Sequence, residues 1–140
     1  MHENIRFPRQ LEADGTAEAI RQRLMTHTGK LWPGGDLDVP LLTIGDPFKT
    51  VLYNAWRKDQ LRCGFDQVAE KLQRETKGIE HIRSRTGAVQ GDRLSRLLLC
   101  TNDGAERFYR HVERLLQIHA PRVLGCRLDI DADTLGRMVT

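Results

Sequence analysis

The chain is short of most features that would announce a function. Its 140 residues contain no apolar run near the ~20 needed to span a bilayer. The opening Met1-His2-Glu3-Asn4-Ile5-Arg6 lacks the apolar centre of an export signal. There are three cysteines, Cys63, Cys100 and Cys126, an odd number with no CxxC pair. Cys100 and Cys126 lie inside apolar runs. They read as buried, reduced thiols in a cytoplasmic protein, although a bridge between them is geometrically open if their strands are neighbours. The five histidines form no HxxxH or HExxH, and no serine sits in G-x-S-x-G. No cofactor is therefore expected. No internal repeat and no low-complexity stretch is present.

What remains is enough for one ordinary globular domain. Hydrophobic residues make up 39% of the chain and charged residues 29%, and a chain of this length buries about two-thirds of its unfolded surface. The net charge of +3 is unevenly spread. Residues 57–96 carry 10 basic and 6 acidic side chains, whereas the segments on either side are close to neutral. A local positive excess of this kind attracts phosphates.

The patterning predicts an α/β fold in a single domain, residues 1–140. Residues 1–15 read as an irregular arm. Thr16 caps a helix over 16–27, followed by Gly29 and a turn-rich loop. Residues 37–44 are a candidate third strand, at an edge or short because Pro40 cannot donate to a ladder. Asp46-Pro47 is a helix start, with Asp at the cap, and the stripe Phe48, Val51, Leu52, Ala55, Trp56 predicts a helix over 47–60. A second stripe, Phe65, Val68, Ala69, Leu72, predicts 65–77. Residues 78–92, with three glycines and Arg83 and Arg85, read as a basic surface loop. The strands 94–101 and 122–130, joined by an amphipathic helix over 105–119, form a βαβ unit with parallel neighbours. The first of these strands is expected to be central. Asp103 and Glu106 have capping-box spacing, and Asp133 caps a last short helix. The expected core is Leu52, Trp56, Val68, Leu72, Leu97, Leu99, Phe108, Val112, Leu116, Val123 and Leu128, with His119 partly buried.

Several motifs are close to chemistry without meeting its requirements. Asp129, Asp131 and Asp133 alternate at the C-terminal end of a strand, where α/β sheets hold ligands, and three carboxylates can hold Mg²⁺. An EF-hand would need Gly and Glu at the positions of Thr134 and Thr140. In the aspartate motif of haloacid-dehalogenase-type phosphatases the strand opens the fold instead of nearly closing it. No metal site is assigned, and Asp129, Asp131 and Asp133 are kept as weak candidates. Thr28-Gly29-Lys30 resembles the end of a P-loop but is followed by Leu31, not Ser or Thr. The helix pair 47–60 and 65–77 has helix-turn-helix spacing, with Asp66, Gln67, Glu70, Lys71, Gln73 and Arg74 on the would-be recognition face, a mixed face and not a basic one.

From Leu94 onward the chain resembles the ribosomal L7Ae-like RNA-binding domains over about a third of its length. The shared features are Leu97-Leu98-Leu99, Asn102-Asp103, the helix over 105–119, Val123-Leu124-Gly125-Cys126 and Leu135-Gly136. Those domains continue well beyond the Leu-Gly helix, and their basic RNA-contact segment has no counterpart here.

The resulting expectation is a non-enzymatic binding or accessory domain. Its partner is nucleic acid or another phosphate-bearing molecule, held by Arg57, Lys58, Arg62, Lys77, Arg83, Arg85 and Arg93. Aromatic interleaving is poor in that segment, so contacts to phosphates are expected in place of base stacking. The alternatives are a small enzyme acting on a nucleotide or phosphorylated metabolite beside Asp103 and Asp129–Asp133, and a homo-oligomer contacting itself through Trp32 and the 31–35 loop.

Overall fold

A computed structural model describes residues 5–87 and 92–139. It contains α1 (Arg9–Ala13), α2 (Ala17–Met25), β1 (Thr28–Lys30), β2 (Asp38–Leu42), α3 (Asp46–Arg57), α4 (Phe65–Thr86), β3 (Arg96–Cys100), α5 (Glu106–Ile118), β4 (Val123–Leu128) and α6 (Ala132–Val139). The four strands form one mixed sheet in the order β1-β2-β4-β3. The fold is α/β, and the β3-α5-β4 unit has the expected parallel register, from Arg96 opposite Val123 to Cys100 opposite Arg127. The α5–β4 connection passes through a cis Ala120–Pro121 bond.

The strand expected to be central is at the edge, and the central place belongs to β4. Five of the six residues of β4 are buried, because it pairs with β3 on one side and β2 on the other. Gly125 lets α5 approach it: a Cβ there would lie 2.4 Å from Leu116 Cδ1. β2 spans five residues and, despite Pro40, is internal and not at an edge. Leu41 donates its N–H to His27 O, which turns the Pro40 nitrogen toward β4, where pairing begins only at Leu41. β1 occupies residues that were expected to follow the α2 helix and lead into a loop. It pairs antiparallel with β2, Gly29 opposite Val39.

The core lies on both faces of the sheet. On one, Leu72 of α4 and Val112, Leu115 and Leu116 of α5 pack with Cys100, Val123 and Val39. On the other, Ala17 of α2 packs with Leu94, Leu124 and Cys126. The N-terminal arm is not irregular throughout. Phe7 is buried in this second cluster, and α1 follows it. Residues 1–4 lie outside the described residues. Cys100 and Cys126 occupy adjacent strands one register step apart and face opposite sides of the sheet, so they cannot bridge, and both are free thiols.

The basic loop is a helix. α4 runs through Gly78 to Thr86, 22 residues, and closes on Gly87 at φ +71°, whose N–H donates to Arg83 O. One interior glycine costs about 1 kcal/mol, which a helix of this length offsets. Residues 88–91 lie outside the described residues. Three expected core residues are substantially exposed: Leu97 at 58%, Trp56 at 43% and Phe108 at 38%. Of α3, only Leu52 is buried, because that helix packs on α6 at the margin of the domain. For the same reason the α3–α4 pair is not a packed helix-turn-helix.

The caps are mixed. Gly45, not Asp46, is the N-cap of α3, whereas Thr16 is the N-cap of α2 as expected, with its hydroxyl donating to Leu11 O in place of a side-chain cap bond. Ala105 precedes α5, so Asp103 is displaced from its cap. The Asp103 carboxylate instead accepts the Ala132 N–H.

Candidate functional site

The seven basic candidates fall into three groups. Arg57 lies over the Tyr53 ring at 5.8 Å, Lys58 ends α3, and Arg62 donates to Asp59 at 3.1 Å. These sit beside the start of α4. Lys77, Arg83 and Arg85 are exposed in its second half. At 1.5 Å per residue the helix is about 33 Å long, so the two groups are not one surface. Arg93 is spent on the N-terminal arm, donating to Phe7 O and pairing with Glu12. Within α4, Lys77, His81 and Arg85 recur at i, i+4 and i+8, and every residue from Glu80 to Gly87 is exposed.

The acidic candidates are gathered at one end of the sheet, and each has local work. Asp129 accepts from Asn102 Nδ2 at 3.2 Å. Asp131, in place of Asp133, caps α6 by accepting the Thr134 N–H at 2.7 Å, and its bonds from Thr134 hold its carboxyl below the usual range. Asp133 pairs with Arg137 at 2.7 Å. Among the described residues no three His, Cys, Asp or Glu side chains are placed to share a metal ion. A polar cavity of about 350 Å³ lies nearby, lined by His27, Thr43, Arg127 and Asp129.

Trp32 is half-buried, with Arg110 over its ring at 5.0 Å. The Glu113 carboxylate is buried and accepts the N–H groups of Asp36 and Leu37. The 31–37 segment is thereby fastened to α5 and Leu31 is core, while Pro33, Gly34 and Asp36 stay exposed.

The feature that sequence reading missed is a cleft of about 730 Å³ along β3. Its walls come from α4, the 59–64 turn and α6, with Leu52 of α3, and its lining is mainly apolar. Leu97, Leu98 and Leu99 all line it, because the cavity wraps the edge of the strand and meets both faces. That explains why an exposed strand reads as a continuous apolar run.

At the Arg96 end of the cleft, one carboxylate serves three cations. Glu75 accepts from Arg96 at 2.6 Å and from Arg122 at 3.0 Å, and Lys71 lies 3.8 Å away. Arg122 is buried, and its guanidinium also donates to Leu72 O and Thr76 Oγ1. Burial alone pushes the Glu75 carboxyl up, but the hydrogen bonds and charges of Arg96 and Arg122 outweigh it and hold the group below its ordinary value. His119 bonds Thr76 Oγ1 through Nδ1 at 2.8 Å. Burial, then the Arg122 charge, lowers its basicity. Burial also pushes the Cys100 and Cys126 thiols up to about 12, which leaves them unreactive. Lys71 and Glu75 are an i, i+4 pair visible in sequence; Arg96 and Arg122 reach Glu75 across 21 and 47 residues, a juxtaposition that no local spacing encodes.

No helix among the described residues is long and apolar enough to cross a membrane. No family model, curated protein or solved structure matches the chain. The order β3-α5-β4-α6 is the element order expected from Leu94 onward.

Proposed function

We propose that this protein is a non-enzymatic binding domain whose principal ligand site is the cleft along β3. The observation that carries this reading is the pairing of a 730 Å³ apolar cavity with an unpaired sheet edge and a side chain, Leu97, that is 58% exposed. Exposed apolar surface that a fold leaves open is the usual mark of an interaction site. A concave apolar wall with polar groups at one end suits a ligand that is held and oriented.

A second reading has its own observation. Lys77, His81 and Arg85 share one exposed face of the second half of α4. Such a face fits a phosphate backbone: binding weak, tolerant of sequence and sensitive to salt.

Selection from a random peptide library displayed on phage tests the first reading. Recovered sequences should share an apolar pattern and should lose binding to a Leu97→Asp variant. Recovery of nothing, or of peptides indifferent to Leu97→Asp, overturns it and moves attention to the polar cavity at His27, Arg127 and Asp129. Anisotropy with RNA and DNA tests the second. With about three phosphates neutralised, log K should fall with log salt at a slope of about −2 to −3, and Lys77→Ala/Arg85→Ala should weaken binding. Binding that is absent at low salt, or insensitive to both changes, removes it.

A further inference from the structure

We infer that the cleft receives one extended peptide segment as a fifth strand on β3, apolar on both sides, with an acidic side chain beside Arg96. The inference rests on the cleft being the ligand site and adds what fills it.

Three observations carry it. First, the two edges of the sheet are built differently. β1 is three residues long and ends in Lys30, which pairs with Asp38, a short and charged edge of the kind that discourages pairing. β3 is five residues long, apolar after Arg96 and lacking a strand on its outer side among the described residues. Half of the backbone groups of an edge strand point outward, which makes it a template for strand addition. Second, the cleft follows the strand: all five residues of β3, from Arg96 to Cys100, line it.

Third, the charge is one-sided. Lys71, Arg96 and Arg122 surround the single carboxylate of Glu75, so the cluster keeps an excess of positive charge. Arg122 is buried, but Arg96 and Lys71 line the cleft. Arg96 shares its side of the sheet with Leu98 and Cys100, the side covered by Leu72 of α4. An added strand alternates in the same way. Its residue next to Arg96 on the α4 side meets two cations, and its remaining side chains meet Leu97 and Leu99 on one face and Leu98 on the other. An acidic residue at the first position suits Arg96 and Lys71, and apolar residues elsewhere suit Leu97, Leu98 and Leu99.

The test uses fluorescein-labelled, amidated peptides in which Glu either opens or closes a five-residue Val/Leu stretch, each with a Gly-Lys-Lys tail for solubility. Matched peptides carry Gln in place of Glu. One Glu order should bind about fivefold more tightly than its Gln counterpart, the scale of a solvent-accessible ion pair, and Arg96→Gln should abolish that preference. The preferred order gives the strand direction. Bound peptide should slow amide hydrogen exchange at alternate residues of β3, which mere apolar adhesion would not do. Leu97→Asp should abolish binding. Equal binding of Glu and Gln peptides, or binding without protection of β3, overturns this inference while leaving the cleft as the ligand site. No peptide binding at about 1 mM overturns both, as does sedimentation of the free protein as a dimer that Leu97→Asp converts to monomer, since a second copy would then own the edge.

Discussion

β3 and β4 lie side by side, run parallel and are written in nearly the same alphabet, RLLLC against VLGCRL. One is among the most enclosed elements of the molecule, and the other leaves Arg96 and Leu97 exposed. β4 has a strand on each flank, and Gly125 lets α5 settle onto it. β3 has a strand on one flank and a cavity on the other. The difference teaches that an apolar run reports apolar surroundings on both faces of a strand, whether core or unfilled cleft supplies them.

The largest effect expected from this contrast is on stability. Leu128 in β4 is fully enclosed, so Leu128→Ala should cost about 3–5 kcal/mol. Leu97→Ala in β3 should cost little, about 0.5 kcal/mol by urea denaturation. Equal costs would mean that the β3 edge is covered in solution.

Glu75→Gln comes next, at about 2–3 kcal/mol, because it leaves the buried Arg122 guanidinium without its counter-charge. It should also change the acid limb of stability. The native Glu75 carboxyl titrates below its ordinary value of 4.5, so its contribution is complete above about pH 4.5 and is lost as the pH falls through the lower native value. Denaturant midpoints measured from pH 6 to pH 3 should therefore fall less steeply in Glu75→Gln than in the wild type. His119 acts in the same direction at higher pH: its lowered basicity favours the folded state above about pH 6.5, and that advantage fades as the pH drops. An unchanged acid limb in Glu75→Gln would separate the carboxylate from its cations.

Gly125→Ala should cost about 1–3 kcal/mol, since the new methyl must displace the Leu116 side chain from β4. Trp56→Ala should cost less, about 1 kcal/mol, measured by the same denaturation. The stripe on α3 predicts a buried indole, and a cost of 3 kcal/mol or more would restore that expectation. The 43% exposure of Trp56 and the lone buried Leu52 argue for the lower figure.

Legibility in the sequence followed locality. The βαβ unit could be read because each of its three elements carries its own periodicity and its connections are short. α5 could be read from Val112, Leu115 and Leu116, all of which are buried. β1 could not: three residues, Thr28-Gly29-Lys30, carry no period, and they become a strand only through β2. Trp56 and Leu52 belong to one stripe, and nothing along the chain says that α6 covers one and spares the other. The basic residues were countable, but their separation depended on α4 continuing through Gly78, a glycine that reads equally well as a stop. The Glu75 cluster lies furthest from the sequence, because its members come from α4, β3 and the turn before β4.

The last two turns of α4 have a consequence for how the chain is cut. From Glu80 to Gly87 every residue is exposed, and none of them belongs to a core cluster. Its order owes more to propagation along the helix than to buried packing, so it opens at lower free energy than the sheet. Trypsin needs an unfolded stretch of backbone around an arginine, and Arg83 and Arg85 lie where that stretch costs least. Limited digestion should therefore nick the chain there first, while β3, β4 and α5 remain folded around the cut.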